Sequence, residues 1–426
     1  MRWMKNNKVK IIIGFLAMSM ALSGSSLQAN EIQHDATMID QGRTSNPLPV
    51  VPSGKDDLTK LHSMNEINWY LSQMDAADLA TTLKMLRVEQ LVKVGYVGDV
   101  SGDKLMSGAI KGMVGSVGDP YSVYMDTDMY KELMIETKGS FGGVGIVLGS
   151  KDNVLTVVAP IEGTPSDKAG IMSGDQIIKI DGQDVKGLAV DEAVKMIRGS
   201  EGSQVILTIN RAGQEIKDYT LMRSTIKMNT VSGKMLDDKI GYVRLSMFNE
   251  KTGNDLSIKL QELEGQGMKG IILDLRNNPG GLLEESIKVA SNFVPQGPVV
   301  SVVSKDGTRT TRLSTLKAAK YPLVVLVNGG SASASEIVAG AVQDTGVGTL
   351  IGTKTFGKGS VQTVLPLDND SALKLTIAKY VTPNDRSING VGLEPDIKVE
   401  MPDGEEKGKD LQLDKAIEVL KGKMDI

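Results

Sequence analysis

The 426-residue chain contains no cysteine. Thiol nucleophiles, disulfide frameworks and cysteine metal sites are excluded together. Histidine is almost as scarce, with only His34 and His62, both far upstream of the segments that carry the chemistry below. A Ser-His-Asp triad would have to recruit one of them from a polar linker or an early helix, against its geometric demands. No HExxH or other clustered ligand motif is present, so the expectation is chemistry without a metal or other cofactor. Neither sign of charge dominates: 48 Lys and Arg stand against 52 Asp and Glu, with a pI near 5.5. No nucleic-acid partner is implied. If the chain is a hydrolase, its general base is a lysine or a carboxylate.

Long apolar runs are also missing. The run Ile11 to Leu22 is shorter than a comfortable membrane span. It follows a start carrying Arg2, Lys5, Lys8 and Lys10 and no acid, and it precedes Ser23-Gly24-Ser25-Ser26 and Ala29. Residues 1–29 therefore read as a secretory signal peptide. Leu27 is a poor fit two places before Ala29, and an uncleaved N-terminal anchor tethering the chain to a membrane is the alternative. Either way the body is expected to be exported, to a periplasm, a cell envelope or the medium. Residues 30–60, with Pro47, Pro49 and Pro52 and no hydrophobic period, read as a flexible linker. Residues 61–137 form an N-terminal helical region. Leu79, Leu83, Leu86, Gln90 and Val94 fall on one face, suited to the core or to a second copy. Gly118-Asp119-Pro120-Tyr121-Ser122 breaks the helices.

Residues 138–223 read as a separate module. A glycine loop at Phe141–Val147 runs into a strand, and a second strand covers Val154–Ala159. A short helix at Pro165–Gly170 follows, then Gly174–Gly182, a strand closed by an Asp-Gly turn. A helix at Asp191–Ile197 and an alternating strand at Val205–Ile209 complete it. This order, with the run Gly-Asp-x-Ile-x-x-Ile-Asp-Gly, resembles a PDZ domain, against the plainer reading of a hairpin in an unrelated β domain. In that family a peptide C-terminus adds as a strand and loop N–H groups hold its carboxylate. The resemblance puts the loop at Gly143, Val144, Gly145 and Ile146, with Val194 and Ile197 lining the side-chain pocket.

Residues 224–405 alternate apolar strands with amphipathic helices, the pattern of a layered α/β core. Strands are expected at Ile240–Phe248, Ile271–Leu275, Val299–Val303, Leu323–Val327, Thr349–Ile351 and Leu373–Tyr380, and helices at Leu283–Val294 and Ser335–Gln343. Residues 406–426 hold a short amphipathic helix at Leu411–Leu420, a second element through which copies could associate.

The chemistry concentrates where Val324–Val327 turns through Asn328-Gly329-Gly330-Ser331-Ala332-Ser333 into a helix. Such a corner presents a small nucleophile beside free backbone N–H groups. Ser331 and Ser335 compete with Ser333 for that role, and Ser333-x-x-Glu336 also reads simply as a capping box. Lys358 lies between Gly357 and Gly359, among Phe356, Val361 and Val364 and without an acid beside it in sequence. A lysine serves as base when burial lowers its pKa from about 10.4 to about 7–8. Taken alone, Lys358 reads better as an exposed lysine on a glycine-rich hairpin.

The runs Asn328–Ala341, Thr355–Gln362 and Leu273–Gly281, with Asp119–Ser122 and Tyr380–Gly392, resemble the carboxyl-terminal processing proteases of bacteria and plastids over roughly 61–420. The resemblance implies a crotonase-like or ClpP-like α/β protease core with an inserted PDZ domain and an N-terminal helical region. It implies Ser333 as nucleophile, Lys358 as base, Gln362 orienting the lysine, and an oxyanion hole from the N–H groups of Ala334 and of Gly280 or Gly281. The implied partners are unfolded or flexible protein C-termini. Asp385 departs from the family, which usually has glycine there, and lies outside the catalytic set. Arg198, at the end of the module's helix, is expected to contact the core and regulate it. A non-catalytic exported scaffold and an acyl-CoA enzyme are the rival readings.

Overall fold

The structure is a computed structural model that describes residues 72–151, 154–401 and 409–424. The export signal or anchor, the linker and the start of the helical region, all within 1–71, lie outside the described residues, as does the junction near residue 405. Helix α1 (Ala76–Gly95) starts at Asp75, whose carboxylate accepts the N–H groups of Ala77 and Asp78, both at 2.8 Å. Helix α2 (Gly102–Gly115) is capped by Ser101. Strand β1 (Val123–Met125) and helix α3 (Thr127–Lys138) follow, and Gly139 ends α3 in the left-handed region at φ 63°. The segment is thus not purely helical, because β1 joins a sheet of the core. None of the residues of α1 is buried.

Strand β2 (Ser140–Gly143) pairs with β9 (Ser224–Lys227), Ser140 opposite Lys227, so one antiparallel ribbon closes both ends of the inserted module. Between them lie β3 (Ile146–Lys151), β4 (Val154–Pro160), α4 (Pro165–Lys168), β5 (Gln176–Ile180), β6 (Gln183–Asp184), α5 (Val190–Ile197), β7 (Gln204–Asn210) and β8 (Lys217–Met222). The sheet order is β3-β4-β5-β7-β8, with β6 on β5. Alternate residues Val205, Leu207 and Ile209 of β7 enter a core with Leu155, Val157, Ile177 and Ile180, the period expected of a half-buried strand. Asp181 and Gly182 both take positive φ, 47° and 80°, as a two-residue hairpin turn requires.

The remaining elements are β10 (Val231–Met235), β11 (Ile240–Leu245), α6 (Thr252–Gly265), β12 (Gly270–Asp274), α7 (Leu283–Ala290), β13 (Gly297–Ser304), β14 (Arg309–Ser314), β15 (Leu323–Val327), α8 (Ala334–Thr345), β16 (Gly348–Gly352), β17 (Ser360–Pro366), β18 (Ala372–Val381), β19 (Ile397–Lys398) and α9 (Leu411–Lys423). One sheet runs β10-β11-β12-β15-β16-β19, parallel except for β10. Its two central strands are buried along their whole length, because α9 covers one face and α6, α7 and α8 pack on the other. Ile272, Val324 and Leu326 meet Leu420 of α9, while Leu273, Val325 and Val327 meet Ile337 and Val338 of α8. The second sheet is antiparallel and built round β18, which pairs with β1, β13 and β17.

Five core elements, β10, α6, β14, β17 and β19, go beyond the sequence expectation. Helix α6 buries Leu256, Leu260 and Leu263 at helical spacing. Strand β14 is exposed except at Ser314, and β17 is half-buried on both faces, so neither shows the alternation that marks a strand. The expected helix to Val294 stops at Ala290, ahead of Pro295. Asp385 adopts φ 59°, the left-handed region that glycine enters without steric cost.

Candidate active site

Strand β15 ends at Val327, and six residues later the chain turns into α8. Ser333 forms the corner with φ 55° and ψ −113°, a strained conformation for a residue with a side chain. The neighbouring serines hold that corner in place. Ser331, fully buried, donates through Oγ to the Leu275 carbonyl at 2.8 Å and accepts the Asn328 N–H at 3.0 Å. Ser335, also fully buried, donates to the Asn278 carbonyl at 2.9 Å. Only Ser333 of the three is half-exposed. Its competitors are consumed as structural ties.

Glu336 is completely buried. Its Oε2 accepts the backbone N–H of Ser333 at 2.8 Å and that of Lys358 at 2.9 Å. Its Oε1 accepts the Thr355 hydroxyl at 2.6 Å and the Gly357 N–H at 2.7 Å. Four donors replace the water that a buried carboxylate loses. On the opposite polar side, the hydroxyl of Tyr380 donates to the carbonyls of Ser333, at 3.1 Å, and of Lys358. Burial, with Glu336 nearby, pushes that phenol well above its ordinary pKa. The two backbone segments are therefore joined to each other through both their N–H and their C=O groups.

Lys358 is half-buried, with Nζ 4.7 Å from the centroid of the Tyr121 ring. Burial lowers its pKa and Lys374 adds to that, while Asp119 and Glu336 pull the other way. This corrects the sequence picture of a lysine without acidic neighbours, since the fold imports both carboxylates from distant segments. Phe356 is 57% exposed and does not wall off the amine. Gln362 follows a bulge in β17, and its Nε2 donates to Ser360 Oγ at 2.9 Å and Thr376 Oγ1 at 3.1 Å.

The loop after β12 supplies the other wall. Asn278, fully buried, donates to the Leu245 carbonyl at 2.9 Å, and its own carbonyl accepts the Ala332 N–H at 3.0 Å. Gly280, at φ 102°, lies so close that an added Cβ would stand 2.8 Å from Ser333 Cβ and 2.9 Å from Ala334 N. Its N–H donates to Asn278 Oδ1 at 2.9 Å, so of the glycine pair this donor is already engaged. Gly281, at φ 143°, abuts the Phe248 backbone, where a Cβ would meet the carbonyl oxygen at 2.2 Å.

In the inserted module, Gly143, Val144, Gly145, Ile146, Val194 and Ile197 line one cavity of about 100 Å³, together with Phe141, Leu148 and Arg198. Arg198 stacks over the Phe141 ring at 4.5 Å and pairs with Glu132 of α3 at 2.7 Å. Its contact is with the N-terminal region rather than with the sheets of the core. Lys195 makes a parallel pair with Asp128 at 2.9 Å. A larger cavity of about 250 Å³ between α6, the end of α7 and Leu316–Leu323 holds none of these groups.

Three family descriptions match the chain in order: the activating protease CtpB N-terminal domain over 52–129, a PDZ domain over 156–211 and peptidase family S41 over 239–399. The chain is 45% identical over 332 residues to the carboxy-terminal-processing protease of Bartonella bacilliformis, covering 76% of each protein. It is 42% identical over 326 residues to the carboxy-terminal processing protease CtpA of Bacillus subtilis, 75% of this chain and 69% of that one. The chain belongs to peptidase family S41. Among solved structures it is similar to the photosystem II D1 C-terminal processing protease, with 30% identity, 79% and 96% coverage and a TM-score of 0.46.

As an S41 protease the chain is a serine-type, carboxy-terminal processing enzyme with an α/β core and a PDZ domain. Its fold gathers Ser333, Lys358, Ala334 and Gly280 around one corner. Sequence reasoning did not single out Tyr121, Asn278 or Tyr380, and took Glu336 only as a cap. Each lies in a motif run that was read, but its role depends on contacts across the fold, such as the 47 residues between Tyr380 and Ser333.

Proposed function

We propose that this S41 protease acts on exported proteins, its PDZ cavity capturing a flexible C-terminal tail and its Ser333–Lys358 dyad cleaving nearby. The observation that carries the reading is the single buried carboxylate of Glu336, which accepts the backbone N–H of both the strained Ser333 and Lys358. In the first step neutral Lys358 takes the Ser333 hydroxyl proton as Oγ bonds to the scissile carbonyl carbon. The resulting oxyanion is stabilised by the N–H groups of Ala334 and, since the Gly280 N–H is engaged by Asn278, of Gly281, a donor typically worth about 3 kcal/mol. The C–N bond then breaks, the Lys358 ammonium returns the proton to the leaving amine, and an acyl-enzyme remains. Water attacks that ester with Lys358 again as base, releasing the shortened protein and restoring Ser333.

Tail capture is supported by the glycine loop and apolar cavity meeting at one place, the geometry of strand addition with a pocket for the terminal side chain. Arg198 lines this cavity while holding Glu132, so an occupying tail acts directly on the module's link to α3. That is the regulatory role we assign to it. Association of copies through α1, whose Leu79, Leu83, Leu86, Leu91 and Val94 are all exposed, completes the reading. Export follows from the basic and apolar start of the chain.

Cleavage of an unstructured protein with an apolar C-terminus, compared among wild type, Ser333→Ala and Lys358→Ala, tests the dyad. Cleavage lost in both variants with tail binding retained is the expected result. Undiminished cleavage by Ser333→Ala would place the nucleophile elsewhere.

A further inference from the structure

Tyr121 belongs to the stretch matched by the N-terminal family description, and Lys358 to the stretch matched by the peptidase description. Across 237 residues of sequence the fold brings the ring of one against the amine of the other, 4.7 Å from centroid to Nζ. The loop that carries Tyr121 is tightly built. The Asp119 carboxylate accepts the Tyr121 N–H at 3.2 Å and the Ser122 hydroxyl at 2.6 Å, an Asx-type turn. Ser122, only 4% exposed, accepts the Thr376 N–H at 3.0 Å and so fastens the loop to β18. Immediately afterwards β1 pairs with the same strand, Val123 opposite Lys374. Pro120 restricts the backbone just before the ring.

We propose that Tyr121 is a positioning residue for the general base, its ring face seating the Lys358 amine and favouring the protonated form. An aromatic face carries partial negative charge and attracts an ammonium, more strongly where water is excluded. The groups facing this amine are Asp119 and Tyr121 from the loop, Glu336 from α8 and Lys374 from β18. Burial and Lys374 favour release of the proton, and the two carboxylates favour its retention. Tyr121 adds to retention and fixes where the amine rests. The active site is then incomplete without the N-terminal region. This inference rests on Lys358 being the base.

The test uses the full chain and the pH dependence of kcat/KM on an unstructured, apolar-tailed protein. Tyr121→Leu keeps an apolar wall and removes the ring face, and Tyr121→Phe keeps the ring without the hydroxyl. The acid limb of Tyr121→Leu is expected to move down by about half to one pH unit, while that of Tyr121→Phe stays with wild type. A second readout needs no turnover. In a Ser333→Ala background, the pH midpoint for trinitrophenylation of Lys358, read by peptide mass, moves the same way. If the leucine variant fails to fold, Tyr121→Met replaces it. An unmoved limb, or one moved upward, would reduce the ring to a water-excluding wall and overturn the proposal. Lys358→Met run alongside separates the two ideas, since activity retained there would remove Lys358 as base, whatever Tyr121 does.

Discussion

The strain at Ser333, of order 1–3 kcal/mol, persists because Glu336 and Tyr380 hold the backbone on both sides. Tyr380→Phe keeps the buried ring but leaves two interior carbonyls without that donor. A loss of about 1–3 kcal/mol in stability and slower labelling of Ser333 by a fluorophosphonate are expected, read by chemical denaturation and by gel. The lysine makes a separate prediction. Lys374 depresses the Lys358 pKa, so Lys374→Met should raise it and move the acid limb of kcat/KM to higher pH. The same depression has a stability consequence. With its folded pKa below the ordinary 10.5, Lys358 binds fewer protons folded than unfolded between the two values. Its contribution is therefore fully present above the unfolded value and is lost as pH falls through the folded one. Lys358→Met should be more stable than wild type at pH 7, with the gap closing toward pH 10.5, as denaturation at both ends would show.

At the scale of elements, α9 is tied to the loop that carries Gly280. Arg276, just past β12, donates to both oxygens of Asp410 at 2.8 Å and to Asp274 at 3.0 and 2.7 Å. Asp410 is at the same time the cap of α9, accepting the Leu413 N–H at 3.0 Å. Asp274 also accepts the Tyr242 hydroxyl at 2.7 Å, and burial together with that bond pushes the phenol up to about 12. Asp410→Ala removes a cap and one side of the Arg276 pair together. Because Asp410 is partly exposed, a loss of about 2 kcal/mol is expected, with a fall in kcat as the glycine loop loosens, measured by thermal unfolding and steady-state kinetics. Burial opposes the charge on Asp410, but Arg276 and the backbone more than offset it and hold the carboxyl below its ordinary value. The stabilisation is thus present above about pH 4 and is lost as pH falls through the folded pKa. Wild type and Asp410→Ala should converge in acid. Local pattern revealed β12, β15 and α8, whose apolar residues are continuous or periodic, but could not reveal β14 or β17. Those two lie at positions where solvent or a ribbon edge imposes no alternation.

For the whole molecule, the inserted module meets the rest of the chain through the β2–β9 ribbon and the pairs Arg198–Glu132 and Lys195–Asp128. Exposed pairs of this kind contribute about 0–1 kcal/mol each, a link weak enough for an incoming peptide to reset. Arg198→Ala should therefore change the ratio of peptide-stimulated to basal cleavage while leaving overall stability within about 1 kcal/mol. An unchanged ratio would argue against regulation through this residue. On α1, Leu83 is 57% and Leu91 63% exposed. If a second copy covers that face, Leu83→Glu with Leu91→Glu should shift the sedimenting species toward monomer without loss of helix content.

The sequence by itself determined the class of chemistry. The absence of cysteine and the scarcity of histidine point to a lysine or carboxylate base, and the ordered motifs make Ser333 and Lys358 the candidates. It also determined the module order, because glycine loops, Asp-Gly turns and apolar periods are local properties of the chain. Tertiary structure alone decided what surrounds those two residues. Ser331 and Ser335 are tied down by carbonyls from the neighbouring loop, Lys358 gains Asp119 and Tyr121 from a segment more than two hundred residues away, and Glu336 turns from a helix cap into the joint between the backbones of Ser333 and Lys358. The reason is that pKa and positioning depend on distance in space, which chain spacing does not encode until the sheets have set it.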